Sequence, residues 1–309
     1  MSLAFVFPGQ GSQSLGMMAG FLDDASVRQT FEEASAALGQ DLWAMIQPDA
    51  DVAVINATVN TQPLMLTAGV AVFRAWTAQG GALPVVAAGH SLGEYTALAC
   101  AGSIAFADAV RLVRLRAEAM QAAVPEGVGA MAAILGLADA DIVAACAEAA
   151  QGEVVEAVNF NSQGQVVIAG NKAAVERAMA LCKDKGAKRA LPLPVSVPSH
   201  CALMKPAAEK LAAALAQITI SAPTFPVIHN ADVVAYTDPA QIRDALTRQL
   251  YQPVRWVETV QKMAADGASV IAECGPGKVL VGLNKRLAAD AQHVALTSLA
   301  AFDELKAVL

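Results

Sequence analysis

Only 16% of the side chains in this sequence are charged, only 5% are aromatic, and there are just four histidines. The charges present sum to −7, which excludes the basic footprint of a nucleic-acid-binding protein. With so few imidazoles, any mechanism needing one has few candidates. Cysteine is sparse and scattered: Cys100, Cys146, Cys182, Cys201 and Cys274 include no pair at C-x-x-C spacing. An odd, dispersed set fits small buried residues in a reducing cytoplasm, not a disulfide framework or a zinc site. No cofactor or metal is expected. Long apolar runs are missing too, although 55% of the 309 residues are hydrophobic and the mean hydropathy is +0.44. The uncharged stretch at residues 52–73 is interrupted by Asn56, Asn60, Gln62 and Pro63. A spanning helix needs about 20 predominantly apolar residues, so no membrane segment is expected. No basic region precedes the apolar residues at the start, so no secretory signal is expected either.

What is abundant is apolar material for a core, enough for one large domain or a large domain with a smaller insert. Short apolar runs at 3–7, 83–88 and 268–272 read as strands buried on both faces. Helical stretches at 63–76, 105–123 and 204–216 alternate with them, and Pro63 and Pro206 stand near helix starts. The pattern predicts an α/β core with a parallel sheet. The middle differs: strand 130–137, helix 139–149, strands 154–158 and 165–169 around an Asn161-Ser162-Gln163-Gly164 turn, helix 172–185, strand 189–195. The order βαββαβ is that of a ferredoxin-like unit. The expected division is a large domain of residues 1–126 and 197–309 and a small subdomain of 127–196.

Gly89-His90-Ser91-Leu92-Gly93 lies between a predicted strand and a helical stretch at 94–101. This is G-x-S-x-G in the setting its mechanics require: small flanking residues permit a tight strand-to-helix turn that pushes the serine hydroxyl out. The helix start behind it offers free N–H groups to a developing oxyanion. A serine needs a base. His90 is adjacent, but the turn points it away, so it is structural. His293 reads as a surface residue and His229 as a satisfied residue at a strand end. His200, in Val195-Ser196-Val197-Pro198-Ser199-His200, re-enters the core from the insert and is favoured to face the cleft.

Further motifs stand in order with these: Phe7-Pro8-Gly9-Gln10-Gly11-Ser12-Gln13, Gln249-Leu250-Tyr251-Gln252-Pro253-Val254-Arg255-Trp256 and Gly275-Pro276-Gly277-Lys278. Together, from residue 3 to about 287, the chain resembles the malonyl-CoA:acyl carrier protein transacylase family of type II fatty acid synthesis. The resemblance implies a hydrolase-like α/β core with a ferredoxin-like insert, matching the pattern. It implies Ser91 as the acylated nucleophile, His200 as its base, and the main-chain carbonyl of Gln249 as the acceptor orienting that histidine. Gln10 and Leu92 would supply an oxyanion hole through backbone N–H groups. Arg116 would pair with the free malonyl carboxylate, which a planar guanidinium can hold through both oxygens. The family usually has glycine after that arginine, where this chain has Ala117. Arg111 and Arg114 read as polar positions of the same helix. Gln62 and Asn161 match positions near the family's cleft. The glycine-proline turn at 275–278 opens a helix and reads as structural. Implied partners are malonyl-CoA and an acidic acyl carrier protein, the latter docking on Lys188, Arg189, Lys285 and Arg286, with Lys183, Lys185 and Lys278 nearby in sequence. A monomer is expected. Competing readings are a serine thioesterase or hydrolase, the malonyl-transferring subunit of a malonate decarboxylase, and a silent carrier-binding module.

Overall fold

A computed structural model describes residues 1–195 and 197–309; Ser196, the last residue of the expected small subdomain, lies outside the described residues. The core sheet is built on β1 (Leu3–Phe7), every residue of which is buried. It lies between β2 (Val86–Gly89) and β8 (Val270–Cys274), with β7 (Val227–Ile228) and β9 (Gln292–Leu296) at the edges. All four ladders are parallel. Alternate side chains serve opposite layers. Phe5, Phe7, Ala87 and Ala272 face one helix layer, while Ala4, Val6, Ala88 and Ile271 pack with Trp256, Val260 and Leu283. Strands covered on both faces are apolar at nearly every position, buried Glu273 of β8 being an exception, which is why they read as apolar runs.

The outcomes differ from the expectations at the edges. β2 begins at Val86 because Pro84 has no N–H for a ladder and Leu83 and Val85 remain exposed. β8 lies two residues later than the predicted run. β7, the strand implied ahead of His229, is only two residues long, and β9, which opens on polar Gln292 and His293, was not anticipated. The helix predicted to open near Pro63 begins at Thr58 and runs to Ala78, so Pro63 stands inside its second turn.

The second sheet has the order β4-β5-β3-β6 and is antiparallel throughout, with β3 at Gly129–Leu135, β4 at Val155–Ser162, β5 at Gln165–Asn171 and β6 at Arg189–Pro192. Helices Asp139–Ala150 and Lys172–Asp184 cover one face through Ile134, Ile142, Ile168 and Ala178. The other face turns Met131, Val167 and Ala169 toward the large core. Asn161 is not in the turn. β4 extends through Ser162, which pairs with Gln165, so Gln163-Gly164 alone makes the connection, with Gly164 at φ +66°. Register shifts bend β4 between Ala157 and Asn159 and again after Phe160. The bent strand reaches the main body through Val254 N–H to Val158 O at 2.8 Å and Phe160 N–H to Val254 O at 3.0 Å. Among the described residues, no helix is long and apolar enough to cross a membrane.

Candidate active site

β2 ends at Gly89 and the helix Gly93–Cys100 starts four residues later, with Ser91 at the apex. The turn is so tight that a Cβ on Gly89 would overlap the backbone of Gly93 and Glu94, and one on Gly93 would overlap Phe7 O. Ser91 holds the left-handed conformation, φ +52°, rare for a residue with a side chain. Asn230, two residues beyond β7, clamps it: its side-chain oxygen accepts from Ser91 N–H at 2.7 Å, and its nitrogen donates to Gly89 O at 2.6 Å.

His200 also has positive φ, +66°, and its N–H donates to Leu250 O at 3.0 Å. Its Nδ1 lies 2.7 Å from the main-chain carbonyl of Gln249 and its Nε2 lies 2.7 Å from Ser91 Oγ. A carbonyl can only accept, so Nδ1 carries the proton and Nε2 is left to accept from the serine hydroxyl. Gln249 closes the helix Pro239–Gln249, where carbonyls lack intrahelical donors and carry the negative end of the dipole. A helix end thus stands where a hydrolase would place a carboxylate. Burial, reinforced by the nearby Arg116 cation, lowers the His200 pKa to about 3, so the ring is neutral at pH 7.

Arg116 comes from the middle of the helix Phe106–Ala123 and is 1% exposed. Nη1 donates to Gln62 Oε1 at 2.8 Å, Nη2 to Gln249 Oε1 at 3.1 Å, and Nη2 lies 3.4 Å from Ser91 Oγ. Its guanidinium stands over the Tyr95 ring at 5.3 Å. No carboxylate is within ion-pair distance among the described residues, and Nε has no partner. A buried cation with no acidic partner among the described residues can hold an anion brought next to Ser91. Ala117 is wholly buried in the same helix and leaves that geometry intact. Arg111 and Arg114 point elsewhere, to Asp108 and to Gln40 and Asn60.

Ser91, His200 and Arg116 line one cavity of about 300 Å³, together with Gln10, Gln62, Leu92, Met120 and Asn161. Among the described residues neither Gln10 N–H nor Leu92 N–H has a hydrogen-bond partner. Gly9 packs against His90 O so closely that it brings the Gln10 loop to the elbow. Asn161 accepts from or donates to nothing reactive; its Oδ1 lies 2.7 Å from His90 Nε2, which orients His90 away from Ser91. Burial holds the His90 pKa below the usual histidine range. His229 follows β7 as expected, with Nδ1 on Glu94, whereas His293 is half-buried in β9 and bonds Ala288 O. At the glycine-proline turn, the N–H of Val281 donates to Glu273 of β8, so the helix Val279–Leu287 already has an internal carboxylate at its start.

Two residues of this site escaped sequence reading. Glu94, in the first turn of the elbow helix, is fully buried, and Asn230 follows His229. A buried acid looks like any exposed first-turn glutamate in sequence, and an asparagine after a short strand looks like a turn residue.

The acyl transferase domain family matches residues 4–301. A Salmonella typhimurium protein named malonyl CoA-acyl carrier protein transacylase is 62% identical over 285 residues, 92% of either chain. The solved structure of an acyl carrier protein S-malonyltransferase from Vibrio cholerae superposes with a TM-score of 0.96 at 59% identity, over 99% of this chain and 100% of that one. A malonyl-transacylase solved in complex with a type II PKS acyl-carrier protein gives a TM-score of 0.96 at 54% identity over 98% of each chain. A nucleophile elbow facing a histidine, a buried arginine and relatives matched over nine-tenths of their length lead to one conclusion: the chain belongs to the malonyl CoA-acyl carrier protein transacylase family.

Proposed function

We propose that the chain moves a malonyl group from malonyl-CoA to the phosphopantetheine thiol of acyl carrier protein through a malonyl-Ser91 intermediate. The observation that carries this reading is Arg116, 1% exposed, without an acidic partner among the described residues, 3.4 Å from Ser91 Oγ. Acetyl has nothing to offer such a cation; malonyl differs from it by one carboxylate.

In the first half, Ser91 Oγ attacks the thioester carbon while His200 Nε2 takes the hydroxyl proton. Negative charge collects on the thioester oxygen, facing the N–H groups of Gln10 and Leu92. Collapse breaks the carbon–sulfur bond, and His200 returns its proton to the departing CoA sulfur. In the second half the carrier thiol gives its proton to His200 and attacks the malonyl ester. Collapse then releases Ser91 Oγ, which recovers the proton. The imidazolium present between transfers is met by the Gln249 carbonyl at the helix end. Gln62 orients Arg116, and Asn161 acts only through His90.

The carrier would dock at the cleft mouth. Met131 and Ala133 of β3 line the cavity, so alternation puts Leu135 on the same side. Arg189 pairs with Leu135 and therefore shares that face, at the sheet's outer strand. Lys188, Lys285 and Arg286 are also exposed, whereas Lys185 is engaged by Glu148 at 3.6 Å. The small subdomain is drawn at 127–196, a reading supported by one sheet with its own apolar core between Gly129 and Pro192. A reducing cytoplasm suits the five free cysteines, four of them buried.

Incubation with malonyl-CoA followed by intact-mass measurement tests the function. A transferase accumulates one malonyl adduct on the peptide containing residues 89–93, and Ser91→Ala abolishes it. Release of free acid without an adduct would make the protein a hydrolase, no change a binding module, and label on a cysteine peptide would overturn Ser91. No observation favours the hydrolase or decarboxylase-subunit readings.

A further inference from the structure

We propose that Glu94 is a positioning residue for acyl transfer: one buried carboxylate beneath the elbow fixes both the Ser91 backbone and the arginine-binding amide of Gln249. The proposal rests on Ser91 being the acylated residue, which the wild-type adduct tests by itself.

Glu94 is wholly buried, and three donors converge on it. Oε1 takes His229 Nδ1 at 2.6 Å; Oε2 takes Asn230 N–H at 2.9 Å and Gln249 Nε2 at 2.9 Å. A satisfied buried glutamate would by itself be only a structural anchor. Here two of its partners each reach the reacting groups in one further step.

The first branch runs through Asn230. With its main chain pinned by Glu94, its side chain holds Ser91 N–H and Gly89 O, which maintains the left-handed turn at Ser91. The clamp also consumes Ser91 N–H, so that donor is withdrawn from the oxyanion and the burden falls on Gln10 and Leu92. The second branch runs through the Gln249 side chain. Its nitrogen donates to Glu94 and to Ser91 O at 2.9 Å, while its oxygen accepts from Arg116 at 3.1 Å. Only the amide oxygen can face a guanidinium and only the nitrogen a carboxylate, so the two buried charges set the amide's orientation between them. Glu94 is thus the counter-charge of Arg116, one amide removed. That distance leaves the guanidinium free for a substrate carboxylate, where a direct ion pair would occupy it.

A glutamine at 94 would turn an NH2 group toward one of the converging donors and remove the charge. Single-turnover acylation by malonyl-CoA and labelling of Ser91 by a fluorophosphonate probe, which carries no malonyl carboxylate, are measured with melting temperatures. For Glu94→Gln both rates should fall by about 10²-fold, the scale of a misplaced reacting group. Asn230→Ala cuts only the first branch: kcat and probe labelling should fall by roughly tenfold or more, with KM for malonyl-CoA and the malonyl-over-acetyl ratio unchanged. Amide exchange at the 89–94 segment should accelerate in both variants. A folded Glu94→Gln protein whose acylation and labelling stay within about threefold of wild type would overturn the proposal. If Glu94→Gln does not fold, Asn230→Ala decides: wild-type labelling and exchange there overturn it equally.

Discussion

Ser91 and His200 meet through a 2.7 Å contact although each holds a left-handed backbone, at φ +52° and +66°. Neither is glycine, and each would relax if released, so the pair is held by its surroundings. On the serine side the holders are the Asn230 clamp and the crowded glycines; on the histidine side they are Leu250 O and Gln249 O.

Arg116→Ala removes the cation proposed to read the acyl carboxylate. Malonyl transfer should lose about 3 kcal/mol or more, at least a hundredfold in kcat/KM. Acetyl transfer should be spared or raised. Steady-state kinetics with the two CoA esters checks this, and equal losses would make Arg116 a support of the fold.

His200 is neutral in the resting enzyme because burial, and then Arg116, lower its pKa to about 3. The acylation rate should therefore show no histidine-like fall on acidification from pH 7 to 5. In the unfolded chain the same ring titrates near 6.5. Below that pH the unfolded state binds the extra proton, so stability declines as pH falls from about 6.5 toward 3. Melting temperature against pH for wild type and His200→Gln separates this contribution from the carboxylates, since the variant should lack it.

Gly89→Ala should cost about 3 kcal/mol or more, because the added carbon meets main chain that cannot move without opening the elbow. Gly282, inside the helix Val279–Leu287, has open space where its Cβ would be. Gly282→Ala should stabilise by about 0.5–1 kcal/mol. Denaturant titration of the two variants gives the contrast.

Reversing Lys188 and Arg189 together to Glu should raise KM for carrier protein while acylation by malonyl-CoA changes little. For wild type, KM for carrier protein should rise with salt, as expected for two net-acidic proteins meeting through a local basic face. A KM indifferent to both places docking on another face.

The strands of both sheets and the elbow were legible because apolar runs and the G-x-S-x-G spacing are local signals. β9 was not: it opens on polar Gln292 and His293, at the edge of the sheet where no further strand covers it. Local composition places Asn161 in a turn, whereas the hairpin register is fixed by Gly164 and the pairing of Ser162 with Gln165. The resemblance supplied Gln249 for its carbonyl but not its side chain, whose three partners lie 133 to 158 positions away from it in sequence. Glu94 and Asn230 carry no local mark at all, since a clamp between residues 139 apart exists only after folding.

β1 lies at the middle of the core sheet, and its neighbour β8 begins only at Val270. On the ribosome, β1 thus emerges long before the strand that completes its second ladder. Five consecutive apolar residues have β2 as a partner on one side but must await most of the chain on the other. Closing a loop of that length costs little more in equilibrium entropy than closing a shorter one. In time it costs a great deal, leaving an adhesive nascent edge exposed through most of synthesis. Any risk of aggregation during synthesis therefore belongs to this second ladder and not to the active site.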